Sequence, residues 1–318
     1  MSQICRLFHV LESQQFSLDW IGEVFRVARQ MREMRGSQDH PYANILDGKV
    51  MATLFYEPST RTRFSFEMAM LRLGGQVVST ENAAVFSSAI KGETLEDTIR
   101  VVSDDESDVI VLRHPEAEWW KHRPATVSQL VPIINAGDGN NQHPTQSLTD
   151  FFTIQDKITY STTDPLRIAM VGDLANGRTV RSLCYLLTKF ARILIYFVSP
   201  PNAAMKDDIK AYLEEHNVSY FIKDNLQEVA PLVDVLYQTR IQKERGTDQY
   251  EFNSRKFTVT KMIAESMQEH AIIMHPLPRN DEITKEVDQD KRACYFQQAK
   301  NGLYIRMALL KMMLAPNV

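Results

Sequence analysis

The seven residues from Glu57 to Arg63, "EPSTRTR", bring three hydroxyls, two guanidinium groups and one carboxylate to a single corner of the chain. An apolar run, "KVMATLFY" (49–56), leads into them and a helical pattern follows. Ser59 is placed to cap a helix starting near Thr60. Phe64, Met68 and Leu71, spaced i, i+4 and i+7, predict the buried face of that helix. Exposed amides at the helix start, the hydroxyls of Ser59, Thr60 and Thr62, and a guanidinium together suit a phosphate group. The same residues also read as a capped helix with two solvent-facing arginines. There is no GxxxxGK[ST] pattern, so a nucleoside triphosphate is not implied.

Other polar clusters have the same placement. "NNQHPTQSLTD" holds His143 and Gln146, which a helix starting near Pro144 puts at one end. With neither HExxH nor a second histidine nearby, no metal is expected there. "GDLANGRTVRS" sets Arg178 at a helix start after a strand, without the GxGxxG of a dinucleotide loop. "YQTRIQKER" offers Arg240, Gln242 and Arg245, and "MHPLPR" flanks Leu277 with two prolines, stiffening a loop in which a cis bond is an option. Each cluster alone reads as a loop with solvated charge. Their joint appearance behind separate apolar runs points to a shared site.

Those runs must position the clusters. "DVIVLRHP" (108–115), "VPIINAGDG" (131–139), "LRIAMVGDL" (166–174), "ARILIYFVSP" (191–200), "VDVLYQTR" (233–240) and "AIIMHPLPR" (271–279) alternate with helical patterns. This predicts an α/β protein with parallel sheets covered on both faces, whose ligands collect beyond the carboxyl ends of the strands. A length of 318 residues suggests two domains, each a doubly wound, mostly parallel sheet flanked by helices. The boundary is expected at 143/144, with residues 144–300 as the second domain and a C-terminal helix, 301–318, rejoining the first.

At 44% hydrophobic and 24% charged, the composition is that of an ordinary globular protein, and a net charge of −4 argues against non-specific nucleic-acid binding. No apolar run is long enough for a membrane span, and "MSQICRLFHVLESQQFSLDW" lacks the pattern of a secretory signal. Cys5, Cys184 and Cys294 are scattered and odd in number, which suits a reducing, cytoplasmic compartment and gives no CxxC metal spacing.

At STRTR, HPTQ and HPLPR together, the chain resembles the aspartate carbamoyltransferase family. The resemblance continues through "KGETLEDTIR", "INAGDG", "VGDLANGRTVRSL", "QTRIQKER" and "YFQQAKNGLYIRMALL", in the family's order over nearly the whole length. It implies transfer of the carbamoyl group of carbamoyl phosphate to the amine of L-aspartate, in pyrimidine synthesis, with no cofactor or metal. It assigns the phosphate to Ser59, Thr60, Arg61 and Thr62, and polarisation of the carbamoyl carbonyl to Thr62, Arg113 and His143. Gln146 and the backbone around Leu277 would orient the carbamoyl amide and the incoming amine, and Arg178, Arg240 and Gln242 would take the aspartate carboxylates. Ser87 and Lys91 would reach a neighbouring subunit's site, which implies a homotrimer with shared sites. Glu57, with Arg178 and Arg245, would serve domain closure.

The related ornithine enzymes typically carry a cysteine where this chain has Pro276, which favours aspartate as the acceptor. Ile90 stands where some members have a second lysine. "HPEAEWWKHRPATV" departs from bacterial chains that bind a zinc-containing regulatory chain and argues against that partner, leaving Trp119 and Trp120 open as core or interface residues. "ENAAVFSSAIKGETLEDTIR" is similar to the plant-type trimers inhibited by UMP, which extends to an expectation of UMP inhibition here. Rival readings are an ornithine or other-amine carbamoyltransferase, a non-catalytic member of a pyrimidine complex, and an NAD-dependent oxidoreductase, against which the absent glycine fingerprint weighs.

Overall fold

Apolar, β-branched runs fold into the centres of two parallel sheets. The computed structural model describes residues 7–34, 41–86, 88–105, 107–121, 131–159, 164–240 and 255–315. In the first sheet, β1 (Val50–Phe55) lies between β2 (Gln76–Glu81) and β3 (Val109–His114), with β4 (Ile133–Asp138) beyond β3. The second sheet runs β7-β6-β5-β8-β9, formed by β5 (Leu166–Val171), β6 (Ile193–Val198), β7 (Ser219–Lys223), β8 (Val235–Gln238) and β9 (Ile272–Met274). Every pairing between these strands is parallel.

Around the strands run the helices α1 (Leu18–Glu33), α2 (Thr60–Arg72), α3 (Leu95–Asp104), α4 (Pro144–Lys157), α5 (Arg178–Leu187), α6 (Asp207–Glu215) and α7 (Tyr295–Leu314). Both faces of the central strands are covered. Along β5, Ile168 and Met170 point to one side, Ala169 and Val171 to the other, and all four are fully buried. No helix among the described residues is long and apolar enough to cross a membrane.

The chain divides into two compact units, residues 1–145 with 302–318, and residues 146–301. The passages fall inside α4 and α7, two and one residues beyond the breaks at 143/144 and 300/301 set from the sequence. In the first unit, Arg306 of α7 donates to Ser65 Oγ of α2 (2.9 Å) and lies over the Phe66 ring. Trp119 and Trp120 meet edge to face and pack with Leu54, Ile110, Leu112 and Ile133, so both are core residues of this unit. In the second unit, Val171, Val198, Leu236 and Ile273 pack with Leu226, Val229 and Tyr295.

Helix α2 corrects the sequence reading of its buried face. Phe64, Met68 and Leu71 are exposed by 47%, 53% and 56%, while Phe66, Ala69 and Met70 are fully buried and Thr62 nearly so. Both stripes satisfy helical spacing, so periodicity alone does not say which faces the sheet. The edge strands β2 and β7 had no counterpart among the apolar runs, because each leaves most of its residues half-exposed or exposed.

Candidate active site

In the first unit, the polar groups follow three neighbouring strands. The register sets Phe55, at the end of β1, beside Arg113, near the end of β3. Helix α2 starts directly after β1, and His143 follows β4. The order β2-β1-β3-β4 reverses direction at β1/β3, the kind of point beyond whose strand ends ligands bind in open α/β sheets.

Ser59 occupies the cap position of α2, and its carbonyl accepts the first helical bond from the Arg63 amide (3.0 Å). Its hydroxyl makes no capping bond, contrary to the sequence expectation. The first amides of α2 are therefore left to another acceptor. Thr60 and Arg61 are exposed. Thr62 is buried, with Oγ1 3.5 Å from His143 Nε2. On the other side of the ring, Thr145 Oγ1 lies 3.4 Å from Nδ1. Contacts this long orient the imidazole more than they bind it.

The two arginines of the corner part ways. Arg63 is spent on structure, donating to Ser79 Oγ (3.0 Å) and pairing with Glu67 (3.4 Å) and Glu81 (2.8 Å), which ties α2 to β2. Arg61 has no ion pair among the described residues, and partial withdrawal from water lowers its pKa. It stays cationic at neutral pH, since arginine loses its proton only far above that range. Arg113 is buried, donates to the Ala136 carbonyl (3.3 Å) and pairs through Nε with Glu57 (3.2 Å). Glu57, which the resemblance assigns to domain closure, thus pairs with Arg113 within its own unit. Lys91 is exposed and ends a 3-10 turn, Ser88–Lys91. Ser87, Gln242 and Arg245 lie outside the described residues.

Asp138 sets the turn that delivers His143. Its carboxylate accepts from Asn135 Nδ2 (2.8 Å), Asn141 Nδ2 (2.8 Å), the Glu118 amide (2.7 Å) and the Gln142 amide (3.1 Å). Burial pushes this carboxyl up, and the four bonds offset only part of the rise. Gly139 (φ +47°) completes the turn, since a Cβ there would lie 2.5 Å from the Pro115 carbonyl oxygen.

In the second unit, site residues again follow adjacent strands. Arg178 opens α5 after β5, Arg240 follows β8, and Leu277 follows β9, in a sheet whose order turns at β5/β8. The Asp173 amide donates to the Arg240 carbonyl (3.2 Å), joining the two arginine-bearing loops. Arg178 is half-buried and Arg240 exposed. Leu277 is half-buried in the left-handed region (φ +56°) and precedes a cis bond to Pro278.

Buried acids of this unit escaped the sequence reading. Asp150 accepts from Gln146 Nε2 (2.7 Å), Gln298 Nε2 (2.7 Å) and Tyr237 OH (2.8 Å). Glu282 Oε1 lies 2.9 Å from His275 Nε2, and the Leu277 amide donates to His275 Nδ1 (2.8 Å). A neutral imidazole with its proton on Nε2 fits both contacts. The only signal in the sequence was an acid inside an apolar segment, as in "SLTDFFTI", where water is excluded and a charge needs donors. No cluster of metal-ligating side chains occurs among the described residues.

Two parallel α/β units thus carry polar groups beyond the strand ends at a reversal of strand order, hydroxyl and cationic groups in the first and cationic groups in the second. Residues 9–156 match the model of the carbamoyl-P binding domain of aspartate/ornithine carbamoyltransferase, and residues 164–313 match that of its Asp/Orn binding domain. The chain belongs to the aspartate/ornithine carbamoyltransferase family. It is 56% identical over 315 residues to the chloroplastic aspartate carbamoyltransferase of Oryza sativa, covering 97% of this chain and 85% of that one. It is 45% identical to the aspartate carbamoyltransferase catalytic subunit of Methanocaldococcus jannaschii, covering 97% and 98%. The structure resembles the catalytic subunit of M. jannaschii aspartate transcarbamoylase with a TM-score of 0.88, 44% identity and coverage of 98% and 99%. It also resembles Trypanosoma cruzi aspartate transcarbamoylase in complex with carbamoyl phosphate and aspartate, with a TM-score of 0.86, 37% identity and coverage of 96% and 95%.

Proposed function

We propose that this chain transfers the carbamoyl group of carbamoyl phosphate to the amine of L-aspartate, giving N-carbamoyl-L-aspartate and phosphate, an early step of de novo pyrimidine synthesis. The observation that carries the reading is the corner after β1. An uncapped helix start, three hydroxyls and the cation Arg61, with no ion pair among the described residues, make a receptor for a phosphate dianion. Ser59, Thr60, Arg61 and Thr62 hold that phosphate, with Ser87 and Lys91 supplied by a neighbouring copy. Thr62, Arg113 and His143 polarise the carbamoyl carbonyl and stabilise the oxyanion as the aspartate nitrogen attacks. Gln146 and the Leu277 backbone orient the amide, while Arg178, Arg240 and Gln242 hold the carboxylates through charge-assisted bonds.

Phosphate is a good leaving group, so alignment and charge stabilisation supply most of the acceleration. Aligning two bound reactants is worth about 7–11 kcal/mol. The C–O bond to phosphate breaks as the C–N bond forms, and the departing phosphate takes the amine proton. Bond formation requires both substrates within reach, so the reading includes a closing step with Glu57 and Arg245 as its charged pair.

A homotrimer with shared sites is part of the same reading, supported by the exposed stripe of Phe64, Met68 and Leu71 on α2. A cytoplasmic location is supported by the cysteines. Cys184 and Cys294 are buried free thiols whose pKa values burial pushes up, which suits a reducing compartment. The rice relative is named chloroplastic, so cell fractionation decides the compartment.

Phosphate release from carbamoyl phosphate, measured with L-aspartate, with L-ornithine and with neither, tests the function. Release that depends on aspartate and yields carbamoyl-aspartate is expected. Dependence on ornithine would overturn the acceptor, and no release above the acceptor-free background with either amine would overturn the enzyme. UMP added to the same assay is expected to compete with carbamoyl phosphate.

A further inference from the structure

We propose that Asp150 and Gln298 are positioning residues that fix the amide-reading part of the site so that its carbonyl oxygens are offered to the substrate, and that it thereby selects a carbamoyl over an acetyl donor. This rests on the carbamoyl-transfer reading above and deepens it. Gln146 carries both a donor and an acceptor on its side chain, and a free amide can turn either way. Asp150 Oδ1 accepts from Gln146 Nε2 at 2.7 Å, and an ionised carboxylate can only accept. That bond commits one of the two N–H groups on Nε2 and fixes which way the amide faces, so its Oε1 is left for an N–H.

The same carboxylate oxygen accepts from Gln298 Nε2 at 2.7 Å, while Gln298 Oε1 accepts from the His275 amide at 2.9 Å. His275 Nε2 meets Glu282 Oε1 at 2.9 Å, and His275 Nδ1 accepts from the Leu277 amide at 2.8 Å. The Leu277 donor is therefore consumed as well, and its peptide is fixed in the left-handed region at φ +56°. One continuous network, with Asp150, Gln298 and His275 all buried, thus commits the Leu277 amide and one N–H of Gln146, and fixes the orientation of both groups assigned to the carbamoyl amide. Each then has a carbonyl oxygen to offer. A carbamoyl –NH2 has two N–H groups to offer two carbonyls, whereas the methyl of an acetyl group has none. A polar pocket left unmatched discriminates strongly against such an analogue.

The test uses the full chain and compares kcat/KM for carbamoyl phosphate and acetyl phosphate at saturating L-aspartate, read as phosphate release. In both reactions the amine attacks the acyl carbon and phosphate leaves, so only the –NH2/–CH3 difference is probed. Where acetyl phosphate turns over too slowly, its Ki against carbamoyl phosphate replaces the rate. Asp150→Asn frees Gln146 to turn, and Gln298→Met cuts the link to His275 with little change of shape. Each is expected to lower the preference for carbamoyl phosphate about tenfold, with acetyl phosphate parameters within about twofold of the unaltered chain. Equal losses on both donors, or an unchanged preference, would overturn the proposal. Should neither variant fold, Tyr237→Phe removes one bond from the other oxygen of Asp150, and an unchanged preference there counts equally against it. If the unaltered chain transfers to no amine, the carbamoyl-transfer reading itself falls, which is a separate outcome.

Discussion

Arg61 and Arg63 sit two residues apart, and the difference in their surroundings predicts opposite consequences of removal. Arg61 faces no counter-charge among the described residues, so Arg61→Gln is expected to lower kcat/KM for carbamoyl phosphate by about 10²–10³-fold with little change in Tm. Arg63 holds Glu67 and Glu81, so Arg63→Gln is expected to lower stability by up to about 1 kcal/mol and leave turnover nearly intact. Steady-state kinetics and thermal melts on the two variants separate these roles. Glu282 makes a pH-dependent contribution. Burial pushes its carboxyl up, but bonds from His275 and from backbone amides outweigh that and hold it below 4.5, its ordinary value. A carboxylate with a depressed folded pKa stabilises the fold above its unfolded value and loses that contribution as pH falls through the folded one. Glu282→Gln is therefore expected to be less stable than the unaltered chain at pH 7 by about 1.5–3 kcal/mol. The gap should narrow progressively below the ordinary value of 4.5. A gap in urea unfolding that stays constant into acid would contradict the pair's role.

At the scale of elements, the loops after β5 and β8 form one construction. Gly172 (φ +117°) directly follows β5, where an added Cβ would lie 2.6 Å from Thr239 Oγ1 and 2.7 Å from the Thr239 carbonyl oxygen. Thr239 in turn donates from its amide and hydroxyl to the Val171 carbonyl, at 2.8 and 2.9 Å. Only glycine permits this approach, and it fixes the spacing of the loops that carry Arg178 and Arg240. Gly172→Ala must push the loops apart while holding a conformation costly for any Cβ, at about 1–3 kcal/mol. The expected signature is a KM for aspartate that rises several-fold while the KM for carbamoyl phosphate hardly moves. A variant that raises both equally would mean that the glycine serves folding alone.

At the scale of the whole molecule, the exposed stripe of α2 matters most. Phe64, Met68 and Leu71 lie at helical spacing on one face, left outside the core that Phe66, Ala69 and Met70 enter. Such a stripe is costly in water and fits burial against a second copy of the chain. Met68→Glu is expected to shift the sedimentation pattern from trimer to monomer and to abolish turnover. On the proposed shared site, turnover would be lost because a monomer would lack Ser87 and Lys91 from a neighbouring copy. A monomeric variant with full activity would remove the shared site, and an unchanged trimer would move the interface elsewhere.

The amino-acid sequence by itself determined the local facts. Apolar runs such as "LRIAMV" must be strands buried on both faces, and hydroxyls and cations placed directly after them must gather where parallel strands end, because parallel pairing brings all those ends to one edge. Edge strands β2 and β7 were not legible, since a strand half in water keeps its polar residues and loses the apolar signature. Only the tertiary structure decided which of two apolar stripes of α2 turns inward, which of two neighbouring arginines is spent on structure, and which acids are buried. Each of these depends on partners distant in sequence: Glu81 for Arg63, Ser65 for Arg306, Gln298 and Tyr237 for Asp150. A side chain's type states what bonds it is able to make, and the fold alone states which partners arrive.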